Sequence, residues 1–283
     1  MTSSSYTTLL TRGIGAIASA AIILTSSTPL NAASEEKQLV VTGASTVAPV
    51  LSEIAKRYES LHPDVRIDVQ TGGSARGIKD ARTGLADIGM VSRALKEEEK
   101  DLIPFTIGLD GVAMIVHADN PIKELGRQQI IDIYTGKINN WSELGGADEE
   151  IVVMNKAEGR STLDLFLEYV GLKSTDIQAD VIVGDNEQDI KAVAGNPYSI
   201  GYVSIGNGEY DIKAGVPIRL LPLEGVEATR ETVASERFPM RRPLNLVVPK
   251  QPEGLVLDFI NYARSAEVRD IIESFYYVVP PSS

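Results

Sequence analysis

Residues 38–92 read QLVVTGASTVAPVLSEIAKRYESLHPDVRIDVQTGGSARGIKDARTGLADIGMVS. Within this stretch, residues 38–43 predict a strand, 48–63 predict a helix by their apolar spacing, stopped by Pro63, and 65–71 predict a second strand by alternation. A further helix and the small, apolar segment 86–92 follow. The order strand, helix, strand, helix, strand is typical of βαβ units, so the sequence predicts an α/β fold with a parallel sheet.

A second set of elements follows. Its predicted helices are 127–136, 161–172 and 188–197, and its predicted strands are 151–155, 179–184 and 199–205. A strand over 243–250 and a closing helix over 254–275 are predicted last, and they resemble the elements of the first set. We therefore predict two lobes, of which residues 38–118 and 217–283 form a discontinuous lobe I and residues 119–216 form lobe II.

The composition excludes several classes of protein. The chain has 283 residues, no Cys and two His, which excludes a disulfide framework, a zinc finger, an iron–sulfur cluster and a Cys nucleophile. We expect no metal and no cofactor. The 27 Lys and Arg against 39 Asp and Glu give a formal charge of -12 without a basic block, so we expect no nucleic-acid partner.

The amino terminus has the three parts of a secretory signal. One basic residue, Arg12, precedes the uninterrupted small or apolar run 13–24, and Ala32 and Ala33 supply small residues for cleavage. The apolar run is shorter than the roughly 20 residues that span a bilayer. The sequence therefore predicts a signal peptide over 1–33 and a periplasmic location, with an uncleaved anchor helix as the alternative.

Three turns between a strand and a helix share one composition. TGASTVAP (42–49), TGGSARG (71–77) and EGRST (158–162) each place Ser or Thr beside Gly or Ala where a helix begins. A single such turn is explained by helix capping. Three of them at the carboxyl ends of parallel strands would bring hydroxyls and unpaired backbone N–H groups together, which favours an oxyanion site.

The order of several motifs resembles a known family. GASTVAP, GGSARGIKDARTGLADIGMVSRALKEEE, LDGVAMIVHADNP, INNWSELGG, EGRST, AGNPYSIGYVSIG and RPLNLVVP are similar to segments of the phosphate-binding proteins of Pst-type ABC importers. The resemblance covers residues 38–279. It implies a periplasmic-binding-protein type II fold with two lobes, each a mixed sheet flanked by helices, joined by a two-strand hinge. It also implies a monomeric receptor, not an enzyme, that delivers phosphate to an ABC permease in the inner membrane.

The resemblance assigns site residues loop by loop. The chain departs from the family in the fourth loop, where Lys156 stands for the usual Arg and Arg160 for the usual Ser, so the cation moves toward the helix start. The phosphate-binding residues implied in this way are Ser45, Thr46, Val47, Ser74, Ser92, Arg93, Arg160, Ser161 and Thr162.

Asp110 is the candidate acceptor for a proton of the anion. Phosphate keeps a proton at neutral pH and sulfate does not, so a carboxylate among the donors would select phosphate. The alternative is an ordinary turn Asp before Gly111. Because Arg93 stands where the family commonly has Asp, Asp110 would have to supply the acceptor alone.

The sequence is also compatible with other functions. The ligand could be another tetrahedral oxyanion, such as sulfate, molybdate or phosphonate, or the chain could act outside the cell without a transporter. A secreted phosphatase would need a metal cluster or an activated nucleophile, and neither His62 nor His117 lies in such a pattern. Trp141 is predicted to pack a loop against lobe II, and residues 96–101 are predicted to form a solvated helix face.

Overall fold

The computed structural model describes residues 36–280, so the predicted signal peptide over 1–33 lies outside the described residues. The strands are β1 (Lys37–Gly43), β2 (Val65–Thr71), β3 (Ile88–Val91), β4 (Ile103–His117), β5 (Val152–Lys156), β6 (Val181–Val183), β7 (Ser199–Ser204), β8 (Ile218–Leu220) and β9 (Arg241–Val248). The helices are α1 (Ala48–Leu61), α2 (Ser74–Thr83), α3 (Arg127–Tyr134), α4 (Ser161–Val170), α5 (Asn186–Gly195), α6 (Ile205–Lys213), α7 (Arg230–Ala234), α8 (Gly254–Ala263) and α9 (Arg269–Ser274).

The strands form one mixed sheet in the order β2-β1-β3-β9-β4-β7-β5-β6, and β8 pairs with β4. β1 is parallel to β2 and β3, and β9 is antiparallel to β3. The same arrangement recurs with β5 parallel to β6 and β7, and β4 antiparallel to β7. The α/β prediction is confirmed, and the chain uses one strand arrangement twice.

β4 belongs to both halves of the sheet. Its residues 103–111 pair with β9, and its residues 112–116 pair with β7. The change of partner falls between Gly111 and Val112. One continuous strand therefore connects the two repeats of the strand arrangement.

Two large hydrophobic clusters divide the described residues. The first draws on residues 39–107 and 244–277, and the second on residues 112–240. We call the parts that carry these clusters lobe I and lobe II. The predicted boundaries at 118/119 and 216/217 stay a prediction, but the clusters favour boundaries near 111/112 and 240/241.

Local structure departs from the predictions in two places. The closing helix over 254–275 is divided into α8 and α9, because Ser265 accepts a hydrogen bond from the Glu267 N–H and starts a new 3-10 turn. The charged run 96–101 is exposed as predicted except at Glu99, which is buried, and it forms only a short 3-10 helix over Glu97–Glu99.

The prediction for Trp141 is confirmed. Its side chain is buried in the lobe II cluster, and its Nε1 donates to the carbonyl oxygen of Tyr198 at 2.8 Å. Among residues 36–280, the helices are all too short or too polar to span a bilayer. In the same range no His, Asp and Glu side chains gather in a group that could hold a metal ion.

Candidate functional site

Arg242 lies at the centre of a polar cluster between the lobes. It is the second residue of β9 and is only 3% exposed. Its Nη1 donates to Thr162 Oγ1 at 3.0 Å and to Ser92 Oγ at 3.4 Å, and its Nη2 donates to Thr46 Oγ1 at 3.3 Å. Thr46 and Ser92 belong to lobe I and Thr162 to lobe II, so the guanidinium contacts hydroxyls from both lobes.

Asp110 holds this guanidinium in place. The two residues face each other across the antiparallel β4–β9 register. Asp110 Oδ2 accepts from Arg242 Nε at 3.1 Å and Nη2 at 2.9 Å, and its Oδ1 accepts from the Gly206 N–H at 3.2 Å. Each charge stabilises the other in this buried position, because burying either charge alone would cost free energy. Whether Asp110 also accepts a proton from an anion stays a prediction.

Four hydroxyls of the cluster come from the starts of helices, and a fifth, that of Ser92, follows β3. Ser74 is the first residue of α2, Ser161 and Thr162 open α4, and Thr46 lies two residues before α1. All four are buried. The first turn of a helix has backbone N–H groups without intrahelical acceptors and the positive end of the helix dipole. The structure therefore brings the three predicted turns together.

The hydrogen bonds within the cluster fix the direction of its hydroxyl groups. Thr46 Oγ1 accepts from Arg242 and from Asn186 Nδ2, the latter at 3.1 Å. Ser74 Oγ accepts from the Ser161 hydroxyl and from the Ser92 N–H. A hydroxyl has one hydrogen and two lone pairs, so an oxygen that already accepts directs its own hydrogen elsewhere. The cluster can thus offer donors to an anion.

Two predicted residues do not join the cluster. Val47 packs in the lobe I core, and its backbone N–H already donates to the Ala44 carbonyl oxygen at 3.0 Å. Ser45 is half-buried and lines a separate cavity of about 490 Å³ together with Asn186. The first loop therefore contributes to the cluster through Thr46, because Ser45 lines a separate cavity and Val47 packs in the lobe I core.

Arg93 is also held away from the cluster. Its Nη1 and Nη2 donate to the two carboxylate oxygens of Glu99 at 2.6 and 2.8 Å, and its Nε donates to Asp164 Oδ2 at 3.0 Å. Burial alone would raise the pKa of Glu99, but the hydrogen bonds from Arg93 and the Lys96 N–H lower it. The guanidinium is thus engaged by two carboxylates, which does not favour direct anion binding, and the role of Arg93 in binding stays a prediction.

Arg160 and Lys156 differ in their surroundings. Arg160 is half-buried at the start of α4 and makes no capping hydrogen bond. Its side chain lies alongside Gly73, where a Cβ would come within 3.0 Å of Arg160 Cδ. Lys156 is buried and paired with Asp189. Burial lowers the pKa of Lys156 and raises that of Asp189, so the pair carries a desolvation cost inside lobe II.

Sequence reasoning missed two residues of the cluster, Arg242 and Asn186. Arg242 opens the RPLNLVVP motif, where its charge beside an apolar strand signals that it needs a buried partner. That partner, Asp110, is 132 positions away. Asn186 follows Asp185, a helix-capping residue, and shows no signal of its contact with Thr46, which is 140 positions away.

Comparisons with known proteins agree with this architecture. Residues 29–267 match the family model of the PBP superfamily domain. The phosphate-binding protein PstS of Bacillus subtilis is 28% identical over 258 residues, which cover 88% of this chain and 84% of the relative.

Two solved structures are also similar. One is a Clostridium perfringens protein with bound phosphate, provisionally named a phosphate ABC transporter substrate-binding protein. It has a TM-score of 0.80 and 35% identity and covers 87% of this chain and 100% of its own. The other, an ABC-type phosphate transport receptor from Vibrio cholerae, has a TM-score of 0.68 and 28% identity and covers 86% and 100%. The chain therefore belongs to the PBP superfamily and, within it, to the phosphate-binding proteins of Pst-type importers.

Proposed function

We propose that this protein is an extracytoplasmic receptor that binds phosphate between its two lobes and delivers it to an ABC permease. The observation that carries the proposal is the Arg242 cluster, in which one buried guanidinium is surrounded by hydroxyls from both lobes. Relatives named phosphate-binding protein and a similar structure with bound phosphate support the choice of ligand.

The proposed contacts to phosphate come from hydroxyls and helix starts. The hydroxyls of Thr46 and Ser74 in lobe I and of Thr162 in lobe II would donate hydrogen bonds, and Ser161, whose hydroxyl already donates to Ser74, would donate through its backbone N–H at the start of α4. Arg242 would hold the Thr46 and Thr162 oxygens in place. Since both lobes contribute, the anion is fully surrounded only when they are together. Arg160, at the edge of this cluster, would add a positive charge.

Preference for phosphate over sulfate requires an acceptor, because hydroxyl and guanidinium donors suit either anion. Asp110 is the carboxylate within the cluster, and its Oδ1 accepts one hydrogen bond, from Gly206. A carboxylate oxygen has a second lone pair, which can accept a hydrogen bond from the P–OH group that phosphate carries and sulfate lacks. We therefore assign Asp110 both to Arg242 and to the anion.

Titration calorimetry of the mature protein with phosphate and with sulfate tests the proposal. We expect phosphate to bind and sulfate to bind far more weakly. Thr162→Val removes one hydroxyl with little change in shape, so it should weaken phosphate binding about tenfold, as expected for a hydrogen bond to a charged group. Thr135→Val is the control, because the Thr135 hydroxyl only donates to the Ile131 carbonyl oxygen of α3.

Two results would contradict the proposal. Heat with sulfate, molybdate or phosphonate and none with phosphate would assign the receptor to another oxyanion. Release of phosphate from a monoester by the purified protein would favour the alternative of a secreted phosphatase.

The proposed location and partner follow from the family. Relatives named PstS support an extracytoplasmic receptor, and the signal predicted over 1–33 would direct export to the periplasm. We further propose that the receptor acts as a monomer. Co-purification of the closed, phosphate-bound form with a permease would support the transport role, and retention of residues 1–33 in the mature protein would contradict the predicted cleavage.

A further inference from the structure

A group of charged side chains joins the lobes outside the Arg242 cluster. Asp164 of α4 accepts from Arg93 Nε at 3.0 Å through Oδ2 and from Lys96 Nζ at 3.2 Å through Oδ1. We propose that Asp164, held by Arg93 and Lys96, is a latch that keeps the lobes together and sets the rate at which the bound anion leaves. The identity of that anion rests on the proposed function.

The ion pair crosses between the lobes. Val91 and Leu95, on either side of Arg93, pack in a small lobe I cluster with Val247 of β9. Leu163 and Phe166, on either side of Asp164, pack in the lobe II core. Separation of the lobes must therefore break the contacts of Asp164.

Arg93 is a fixed arm for this contact. Glu99 binds its two terminal nitrogens, and Nη1 also donates to the Ala94 carbonyl oxygen at 3.0 Å. Asn245 Nδ2 donates to the carbonyl oxygen of Arg93 at 3.0 Å and anchors its backbone. The remaining nitrogen, Nε, points to Asp164. Because the guanidinium is already ordered, closing onto Asp164 costs little side-chain entropy.

The burial of the three charges decides how much the latch contributes. The Arg93 side chain is 10% exposed, while those of Asp164 and Lys96 are 36% and 44% exposed. An exposed ion pair contributes little, but partial burial reduces screening by water. We therefore expect the Arg93 contact to dominate and the Lys96 contact to be weaker and more sensitive to salt.

The latch and the Arg242 cluster line the same cleft without sharing a hydrogen bond. A cavity of about 860 Å³ is bordered by Arg93, Lys96, Asp164 and Arg242. Thr162 contacts Arg242, whereas Asp164, two residues further along α4, contacts the latch partners. Loss of the latch should therefore change how readily the cleft opens and leave the direct contacts to the anion unchanged.

Asp164→Asn tests the latch by removing its charge with little change in shape. Stopped-flow measurements should show phosphate leaving about five to ten times faster, with the association rate constant within twofold of wild type, since changes at a binding interface act mainly on dissociation. The ratio of phosphate to sulfate affinity should stay constant. Asp164→Glu, which keeps the charge, should restore most of the slow release.

Glu97→Gln is the matched control, because it also removes one negative charge but breaks an ion pair with Lys100 inside lobe I. It should release phosphate at the wild-type rate. Release from Asp164→Asn at the same rate as from Glu97→Gln would overturn the latch. If no variant binds phosphate, the proposed function fails, and small-angle scattering then tests the latch alone. Asp164→Asn should have a larger radius of gyration than Glu97→Gln, and equal radii would overturn it.

Discussion

Arg242 and Asp110 together place almost no net charge in the cluster, because the carboxylate neutralises the guanidinium. Affinity for an anion must then come from hydrogen bonds to its oxygens. The oxygens of Thr46 and Ser74 already accept hydrogen bonds, so their own hydroxyl hydrogens point elsewhere and can be donated. The pair itself lies deep in the cleft, where both side chains are 1% exposed. Each residue therefore fixes the position of the other.

Asp110→Asn separates the two roles proposed for Asp110. An amide can still accept from Arg242 through its oxygen, but its second group is then an NH2 donor, which cannot accept a hydrogen bond from the P–OH group of phosphate. We expect phosphate affinity to fall at least tenfold and sulfate affinity to stay equal or rise, because the repulsion between the carboxylate and sulfate is removed. Calorimetry with both anions checks this, and an equal loss for the two would mean that Asp110 acts through Arg242 alone.

Glu209 on α6 titrates near neutrality. Burial and the neighbouring charge of Glu231 raise its pKa from 4.5 to about 7. A raised pKa in the folded state gives stability that is complete below pH 4.5 and is lost as the pH rises through 7. Since Glu209 is only half-buried, screening reduces the loss to about 1 kcal/mol.

Glu209→Gln should remove this pH dependence. Urea unfolding should show the variant more stable than wild type by about 1 kcal/mol at pH 8 and equal to it near pH 4. The exposed control Glu97→Gln should follow wild type at both values. A variant that loses as much stability as wild type between the two pH values would show that Glu209 does not cause the change.

The starts of α2 and α4 meet across the cleft, and a glycine permits it. The Ala75 N–H of α2 donates to the Gly159 carbonyl oxygen at 3.3 Å. Gly73, just before α2, has a φ of 89°, and a Cβ there would lie 2.8 Å from the same oxygen. A side chain at this position would push the two helix starts apart.

Gly73→Ala should therefore weaken phosphate binding by tenfold or more and also cost about 1 kcal/mol of folding stability from its positive φ. Gly84→Ala is the matched control, since Gly84 has a φ of 72° and no atom within 4 Å of the added Cβ. It should lose similar stability and keep wild-type affinity. Equal affinities for the two variants in calorimetry would show that the helix starts do not need this approach.

The helices and strands were predictable where local spacing decides them. β2 has the predicted bounds, and α1 begins at the predicted Ala48 and ends before Pro63, because alternation and helical spacing are properties of neighbouring residues. The break in the closing helix over 254–275 was not predicted, because the apolar spacing continues across it and the break depends on one capping residue, Ser265. The position of Arg93 was missed for a different reason. Its partner Asp164 is 71 positions away, and only folding brings them together.

At the scale of the whole molecule, the charge opposes the ligand. The formal charge of -12 creates a negative field around the protein, which slows the approach of a phosphate anion. Salt screens this field beyond about 8–10 Å at physiological ionic strength. We expect the association rate constant for phosphate to rise about twofold between low salt and physiological salt in stopped-flow measurements. A rate that falls with salt would mean that a local positive field, centred on Arg160, guides the anion.

The sequence predicts two lobes, and the hydrophobic clusters favour boundaries other than the predicted ones. The sequence shows two sets of alternating elements, but a strand shared by both has no boundary signal within it. The predicted change at 118/119 follows the end of β4, whereas the hydrophobic clusters change near Gly111, inside the strand. Residues such as Val233 and Met240 pack with lobe II although they come after the predicted return.

The sharing of β4 also bears on how the protein unfolds. Each half of this strand supplies hydrogen bonds to a different part of the sheet, through β9 on one side of Gly111 and β7 on the other. If one lobe unfolds, half of β4 loses its partner strand, and the half that stays folded then ends in disordered chain. Unfolding of one lobe should therefore destabilise the other through β4. The two cores should therefore melt together in one cooperative transition, even though each is large enough to form a core by itself.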